Sequence, residues 1–261
     1  MNQIFAIAQN TYREAVRNRI FFVLALFAMV MLFVSLALSS GSLHQEVRLM
    51  KDSGLFLTST CCVLISIFVG VNLVYKELER KTVYTIMPKP IDRSQFLLGK
   101  YVGLAFVMLI LVAVMGVLLA ALLLLVGGEL TPELFQAFYM AYLEVLIIIA
   151  VALFFSSFST PFLSGLMTLG YFLVGRFVDQ LVTLKVAGSG DGNEATEQVD
   201  VTVRFLANLF PDLTIFNLTE QVVYGRPVSI DYLVHGTLTA ATYIALGLVL
   251  ATILFARRDF V

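Results

Sequence analysis

The sequence predicts an all-α integral membrane protein with six transmembrane helices. Three observations carry that reading. Of the 261 residues, 59% are hydrophobic and 13% charged, with a mean hydropathy of +0.92, whereas a soluble domain is about half apolar and about a quarter charged. Six stretches reach the roughly 20 apolar residues that a helix needs to cross the hydrocarbon core. Lys and Arg fall unevenly on the segments between those stretches. Helices rather than open strands follow because lipid cannot satisfy free backbone N–H and C=O groups. The whole chain, 1–261, then forms a single membrane domain.

Residues 1–19 form an interfacial helix lying in the plane of the membrane. Ile4, Ile7, Ala8, Tyr12 and Ala15 share one face, and Arg13, Glu14, Arg17 and Asn18 lie largely on the other, the pattern of a helix that rests in the headgroup boundary. The first span, 20–38, is too long for the apolar core of a signal peptide. The second, 55–74, contains the adjacent Cys61 and Cys62, which as neighbours do not bridge each other. The third, 101–126, starts between Gly99 and Gly103, whose four-residue spacing lets a neighbouring helix come close. The fourth, 132–156, and fifth, 161–182, open on Thr131-Pro132 and Thr160-Pro161, each an N-cap hydroxyl followed by Pro at the first helical position. The sixth is 233–256. Phe, abundant at 22 residues with no Trp, fills helix faces, and the nine Met residues pack the spans.

Basic residues set the orientation. With the N-terminus inside, eleven basic residues lie on inner segments (Arg13, Arg17, Arg19, Lys76, Arg80, Lys81, Lys89, Arg93, Lys100, Arg257 and Arg258). Five lie outside (Arg48, Lys51, Lys185, Arg204 and Arg226), and Arg176 sits within a span. Both termini are therefore expected in the cytoplasm. The extracytoplasmic region, 183–232, starts with the polar AGSGDGNEATEQ and continues as two short amphipathic helices divided at Pro211. Phe205, Leu206, Leu209 and Phe210 form the apolar face of one. Ile215, Phe216, Leu218, Val222 and Val223 form that of the other. They are expected to lie in the outer interface or re-enter it.

The inner segment 75–100, YKELERKTVYTIMPKPIDRSQFLLGK, holds six of the basic residues. Its first half is a helix former of mixed charge, Pro88 and Pro90 stop that helix, and Asp92 with Gln95 resembles a cap pair that starts the next one. A plain topological anchor requires neither prolines nor the apolar Val83, Tyr84, Ile86 and Met87. The segment therefore reads as a shaped cytosolic docking surface. Inside the spans, Glu144 lies twelve residues from Ser156, about 18 Å from the inner end, and Arg176 lies fifteen residues from Pro161, about 22 Å from it. Their matching depth predicts a pair between the fourth and fifth spans, with Asp179 one turn outward; ionisable groups in lipid are costly and occur paired or lining a pathway.

Glu79, Thr82, Pro88, Pro90, Asp92-Arg93 and Gly99-Lys100 together resemble the pattern of the permeases of type-2 ABC exporters. The N-terminal FAIAQNTYREAVRNRIFFVLALF resembles their elbow helix. LFPDLTIFNLTEQVVYG resembles their outer re-entrant helices, especially in the branch linked to multicopper-enzyme maturation and gliding. Lys81 departs from the Gly that many members carry before the Thr. The resemblance implies a cytosolic coupling helix between spans two and three that docks an ATPase through Glu77, Glu79, Arg80, Lys81, Thr82, Val83, Tyr84, Met87, Pro88, Lys89, Pro90 and Arg93. It also implies a second permease subunit, identical or paralogous, in the cell's inner membrane. The chain has no Walker motif: Tyr101 follows Gly99-Lys100, and Ser94 stands at the first Gly position. ATP and Mg are thus expected on the partner subunit, with no cofactor and no catalysis in this chain.

Two other classes compete. A membrane-embedded, lipid-modifying enzyme requires clustered His, Asp or Ser at one interface, and the sequence has no such cluster. An ion-coupled transporter or channel requires polar residues along the spans or an inverted repeat, and only Glu144, Arg176 and Asp179 answer to that. His44 and His235 are isolated, and neither CxxC nor MxxM spacing supports a metal site. Membrane lipid, not nucleic acid, is the expected surrounding.

Overall fold

The computed structural model describes residues 2–40, 45–79, 93–188 and 212–257. Among them the chain is helical throughout, in eight α-helices and one 3-10 turn: α1 (Asn2–Val16), α2 (Arg19–Ser40), α3 (Glu46–Glu79), α4 (Arg93–Leu125), α5 (Pro132–Ser156), α6 (Pro161–Gly188), the 3-10 turn Leu213–Phe216, α7 (Thr219–Tyr224) and α8 (Ile230–Arg257). Among the described residues, four helices are long and apolar enough to cross a membrane: Glu46–Asn72, Ser94–Leu125, Pro132–Ser156 and Ile230–Phe255. The pair Gln3–Val16 and Phe21–Ala37, bent by 64°, makes a fifth if taken as one span.

The bundle is organised around α5, which packs against α3, α4, α6 and α8. Residues Ile147 to Ala150 of α5 are all fully buried, a run with no polar face, as expected of a helix enclosed on all sides. Peripheral helices look different: α2 exposes Phe22, Val23, Leu26, Phe27 and Phe33, and α8 exposes Val234, Leu238, Leu246 and Val249. Those apolar surfaces suit lipid rather than water. Gly236 and Gly247 put α8 close on α5, where an added Cβ would lie 2.7 Å from Met140 Cε and 3.4 Å from Ala150 Cβ. Tyrosines lace α4 to α5: Tyr101 Oη donates to the Leu146 carbonyl at 3.4 Å, and Tyr142 Oη to that of Ala105 at 3.2 Å. Each buries a hydroxyl without leaving it unsatisfied.

The close approach at Gly99 and Gly103 is made by α1. A Cβ at Gly99 would stand 2.7 Å from Ile7 Cβ, and one at Gly103 would stand 2.7 Å from both the Ala8 carbonyl oxygen and Thr11 Cβ. Ala8, Thr11 and Ala15 are the residues α1 buries, one to each helical turn, and Tyr12 meets Phe106 edge-on at 5.4 Å. Helix α1 is therefore clamped along the first turns of α4.

Three local expectations need correction or extension. Thr131 precedes Pro132 in extended geometry, but its hydroxyl makes no capping bond and is buried with no partner among the described residues. Pro at the first position starts the helix by fixing φ, so the cap hydroxyl is not needed. Upstream, α3 begins at Glu46 rather than near residue 55, because the polar Glu46, Arg48, Lys51 and Asp52 continue the helix beyond the apolar run. Of the two amphipathic helices expected on either side of Pro211, the one carrying Phe205, Leu206, Leu209 and Phe210 lies outside the described residues. The other is split into the 3-10 turn and α7. Asp212 Oδ1 accepts from the Thr214 N–H at 2.8 Å, and Asn217 Oδ1 accepts from the Thr219 hydroxyl at 2.6 Å. These local bonds compete with a continuous helix and break it. Leu213, Phe216, Leu218 and Val222 are buried beneath it, and the Tyr232 hydroxyl donates to the Ile215 carbonyl at 2.7 Å.

Candidate functional site

A polar cluster lies inside the bundle where α3, α5 and α6 meet. Arg176 Nη1 is 2.6 Å from Glu144 Oε1. Glu144 is fully buried and the Arg176 side chain is 11% exposed. The third member is Ser59 on α3, whose hydroxyl donates to Glu144 Oε2 at 3.0 Å and lies 3.5 Å from Arg176 Nη1. The guanidinium also sits 5.9 Å from the centroid of the Phe172 ring one turn back on α6, a cation–π distance. Each helix brings its member by simple register: Glu144 projects from the enclosed α5, and Arg176 follows Phe172 at four-residue spacing on one face of α6. The carboxylate thus has both oxygens bonded in a medium that charges tolerate only when paired.

Below the cluster, toward the α3 C-terminus, an apolar groove of about 390 Å³ opens between α3 and α6. Leu64, Phe68, Phe162 and Leu166 line it, and Asn72 lies at its rim. Cys61 and Cys62 are free and buried nearby on α3.

The structure brings together Glu144 and Arg176, the pair expected from their matching depth. Ser59 was not expected there, since one hydroxyl among the many of a span carries no signal until its neighbours are known. Asp179 belongs to α6, and its side chain is outside the described residues. Of the segment expected to dock a partner, Glu77 and Glu79 lie in the last turn of α3 and Arg93 opens α4, with side chains not described. Arg80, Lys81, Thr82, Val83, Tyr84, Met87, Pro88, Lys89 and Pro90 lie outside the described residues.

At the same end, Lys100 is buried to 1% exposure, with its Nζ 5.7 Å from the Phe96 centroid. Phe96 in turn stacks on Phe255 of α8 at 6.1 Å. The start of α4 is thus held by α1 on one side and by the end of α8 on another.

Ser59→Ala tests the third member of the cluster. It removes a hydrogen bond to a charged group, worth about 1.5–3 kcal/mol. The expected result is a lower apparent melting temperature of the detergent-purified protein, with a smaller drop than any loss of Glu144 itself. No change on Ser59→Ala would remove Ser59 from the cluster.

Residues 5–260, nearly the whole chain, match the family model described as ABC-2 family transporter protein. No curated protein matches the chain in sequence.

Proposed function

Because the chain belongs to the ABC-2 family and is a multi-pass membrane permease component of an ABC transporter, we propose that it converts ATP hydrolysis by a separate cytosolic ATPase into export or force transmission across the membrane. In this reading α2 and α6, helices of 22 and 28 residues, complete six spans, both termini face the cytoplasm, and a second permease subunit completes the pathway. Segment 75–100 docks the ATPase, and ATP and Mg stay on that partner.

The observation that supports it most is the pair of helices that flank that segment. They are the two longest among the described residues, α3 of 34 residues and α4 of 33. Along α3, Ser59 lies twenty residues before Glu79, about 30 Å, and bonds to Glu144. Along α4, the first turns carry α1. A push on the segment would move two rigid helices that hold the elbow at one end and the charge pair at the other, the form in which a small displacement becomes a large rearrangement. The groove between α3 and α6 would then change shape with them, and its apolar lining suits an amphipathic or lipid-like cargo.

The test is co-purification. Full-length protein solubilised from its native membrane should bring down an ABC ATPase. Glu79→Arg, or deletion of residues 83–87, should abolish that association while the permease remains folded by circular dichroism. An ATPase retained at undiminished yield by both variants would refute docking through this segment.

A further inference from the structure

At the end of the bundle opposite α1, side chains from two parts of the sequence converge: Arg48 meets the near neighbours Tyr224 and Arg226. The Arg48 guanidinium, in the first turn of α3, lies 5.2 Å from the centroid of the Tyr224 ring. The Arg226 guanidinium lies 5.6 Å from the same centroid. We propose that Arg48 and Arg226, gathered on Tyr224, form a binding site for a phosphate group.

The arrangement is held from both sides. Tyr224 is the last residue of α7, and Gly225 turns the chain in left-handed geometry at φ 63°, a conformation that suits glycine. The Arg226 N–H then bonds back to the Gln221 carbonyl at 2.8 Å, so Tyr224 and Arg226 are fixed relative to each other. Val222 is buried beneath them, and α7 packs on α3. On the other side, Met50 is fully buried, and Val47 lies against Gly128 of the α4–α5 turn. The first turn of α3 is therefore anchored.

Two like charges sharing one ring repel, and a cation–π contact offsets only part of that at an exposed site. The carboxylates nearby in sequence are Glu46, Asp52, Glu220 and Asp231. None of them forms an ion pair with either guanidinium among the described residues. The planar forks are thus left for an external anion, and paired guanidiniums match a phosphate through charge-assisted, bidentate bonds. Arg48 belongs to the polar turns that precede the apolar part of α3, the depth of lipid headgroups. A phospholipid phosphate and a free phosphate share this chemistry.

The chain contains no tryptophan, so Tyr224→Trp keeps an aromatic platform and adds a single fluorophore at the site. The variant would be studied as the full chain in nanodiscs. If a headgroup binds, brominated phosphatidylglycerol should quench the indole roughly fivefold more per lipid than brominated phosphatidylcholine. If a free anion binds, inorganic phosphate should shift the emission in discs of phosphatidylcholine alone. Either response should vanish when Arg48→Gln and Arg226→Gln are added. Arg48→Lys with Arg226→Lys should keep part of it, which separates loss of the site from loss of the fold. The proposal is overturned if the indole answers neither lipid charge nor phosphate, or if its answer survives the double Gln change.

Discussion

Glu144→Ala is expected to destabilise the protein by about 3–5 kcal/mol, the cost of leaving a buried charge without its partner. Arg176→Ala should cost a similar amount. In a chain of this size that corresponds to a fall of roughly 10 °C in the apparent melting temperature. The reason lies in the cluster geometry. Glu144 is fully buried and spends both oxygens on Arg176 and Ser59, so removing either ion strands the other in a medium with no water to replace it. The exchanged pair, Glu144→Arg with Arg176→Glu, should recover about half of the loss, because the Coulomb attraction survives reversal. Ser59 would then face a donor instead of a carboxylate and would have to accept, which limits the recovery. Replacing both with Met should recover stability more fully, since a buried ion pair exchanged for apolar packing is often neutral or better. Comparing transport with stability in that last variant divides the roles. Transport that returns with the fold makes the pair a lock between α5, α6 and α3. Transport that stays lost makes the charges part of the cargo path. An exchanged pair no better than either single variant would show that the two residues do not act on each other.

What the sequence disclosed, and what it hid, follows from the reach of each signal. Hydropathy is local, and a run such as 132–156 is bounded by Pro132 and the serines after Phe155; α5 occupies the same residues. Helix ends built from polar residues were harder to place. The first turns of α3 carry Glu46, Arg48, Lys51 and Asp52, which an apolar count discards although they continue the helix. Matched depth was enough to pair Glu144 with Arg176, because charge is rare in these spans and each candidate has few competitors. Ser59 had no such advantage. The meeting of Arg48, Tyr224 and Arg226 depends on how α7 folds back on α3, which no periodicity encodes. The four-residue spacing of Gly99 and Gly103 announced a close helix contact without saying which helix would use it.

That contact carries the other large expected effect. Gly103→Leu should displace α1 from α4, with a cost of about 1–3 kcal/mol from overpacking and a greater loss of the proposed ATPase-coupled transport than of folding. The obstacle at Gly103 includes the Ala8 carbonyl oxygen at 2.7 Å, which is backbone and cannot rotate away. At Gly99 the nearest atoms are Cβ and Cγ2 of Ile7, and the backbone oxygen of Ile4 is more distant at 3.1 Å. Gly103→Ala should therefore disturb the protein more than Gly99→Ala, although the two residues look alike in sequence. Gly165→Ala is the matched control: an added Cβ there meets nothing within 4 Å, so it should be neutral or stabilising by up to about 1 kcal/mol through helix propensity. The position of α1 can be read directly by spin labels placed on the exposed Gln9 of α1 and the exposed Leu98 of α4. Their separation should widen in Gly103→Leu and stay unchanged in Gly165→Ala. Because α4 begins at the end of the proposed docking segment, an elbow pushed off α4 should leave ATPase association intact while weakening its effect on the spans. An unchanged label separation in Gly103→Leu, with transport at full rate, would mean that the elbow only rests on α4 and takes no part in moving it.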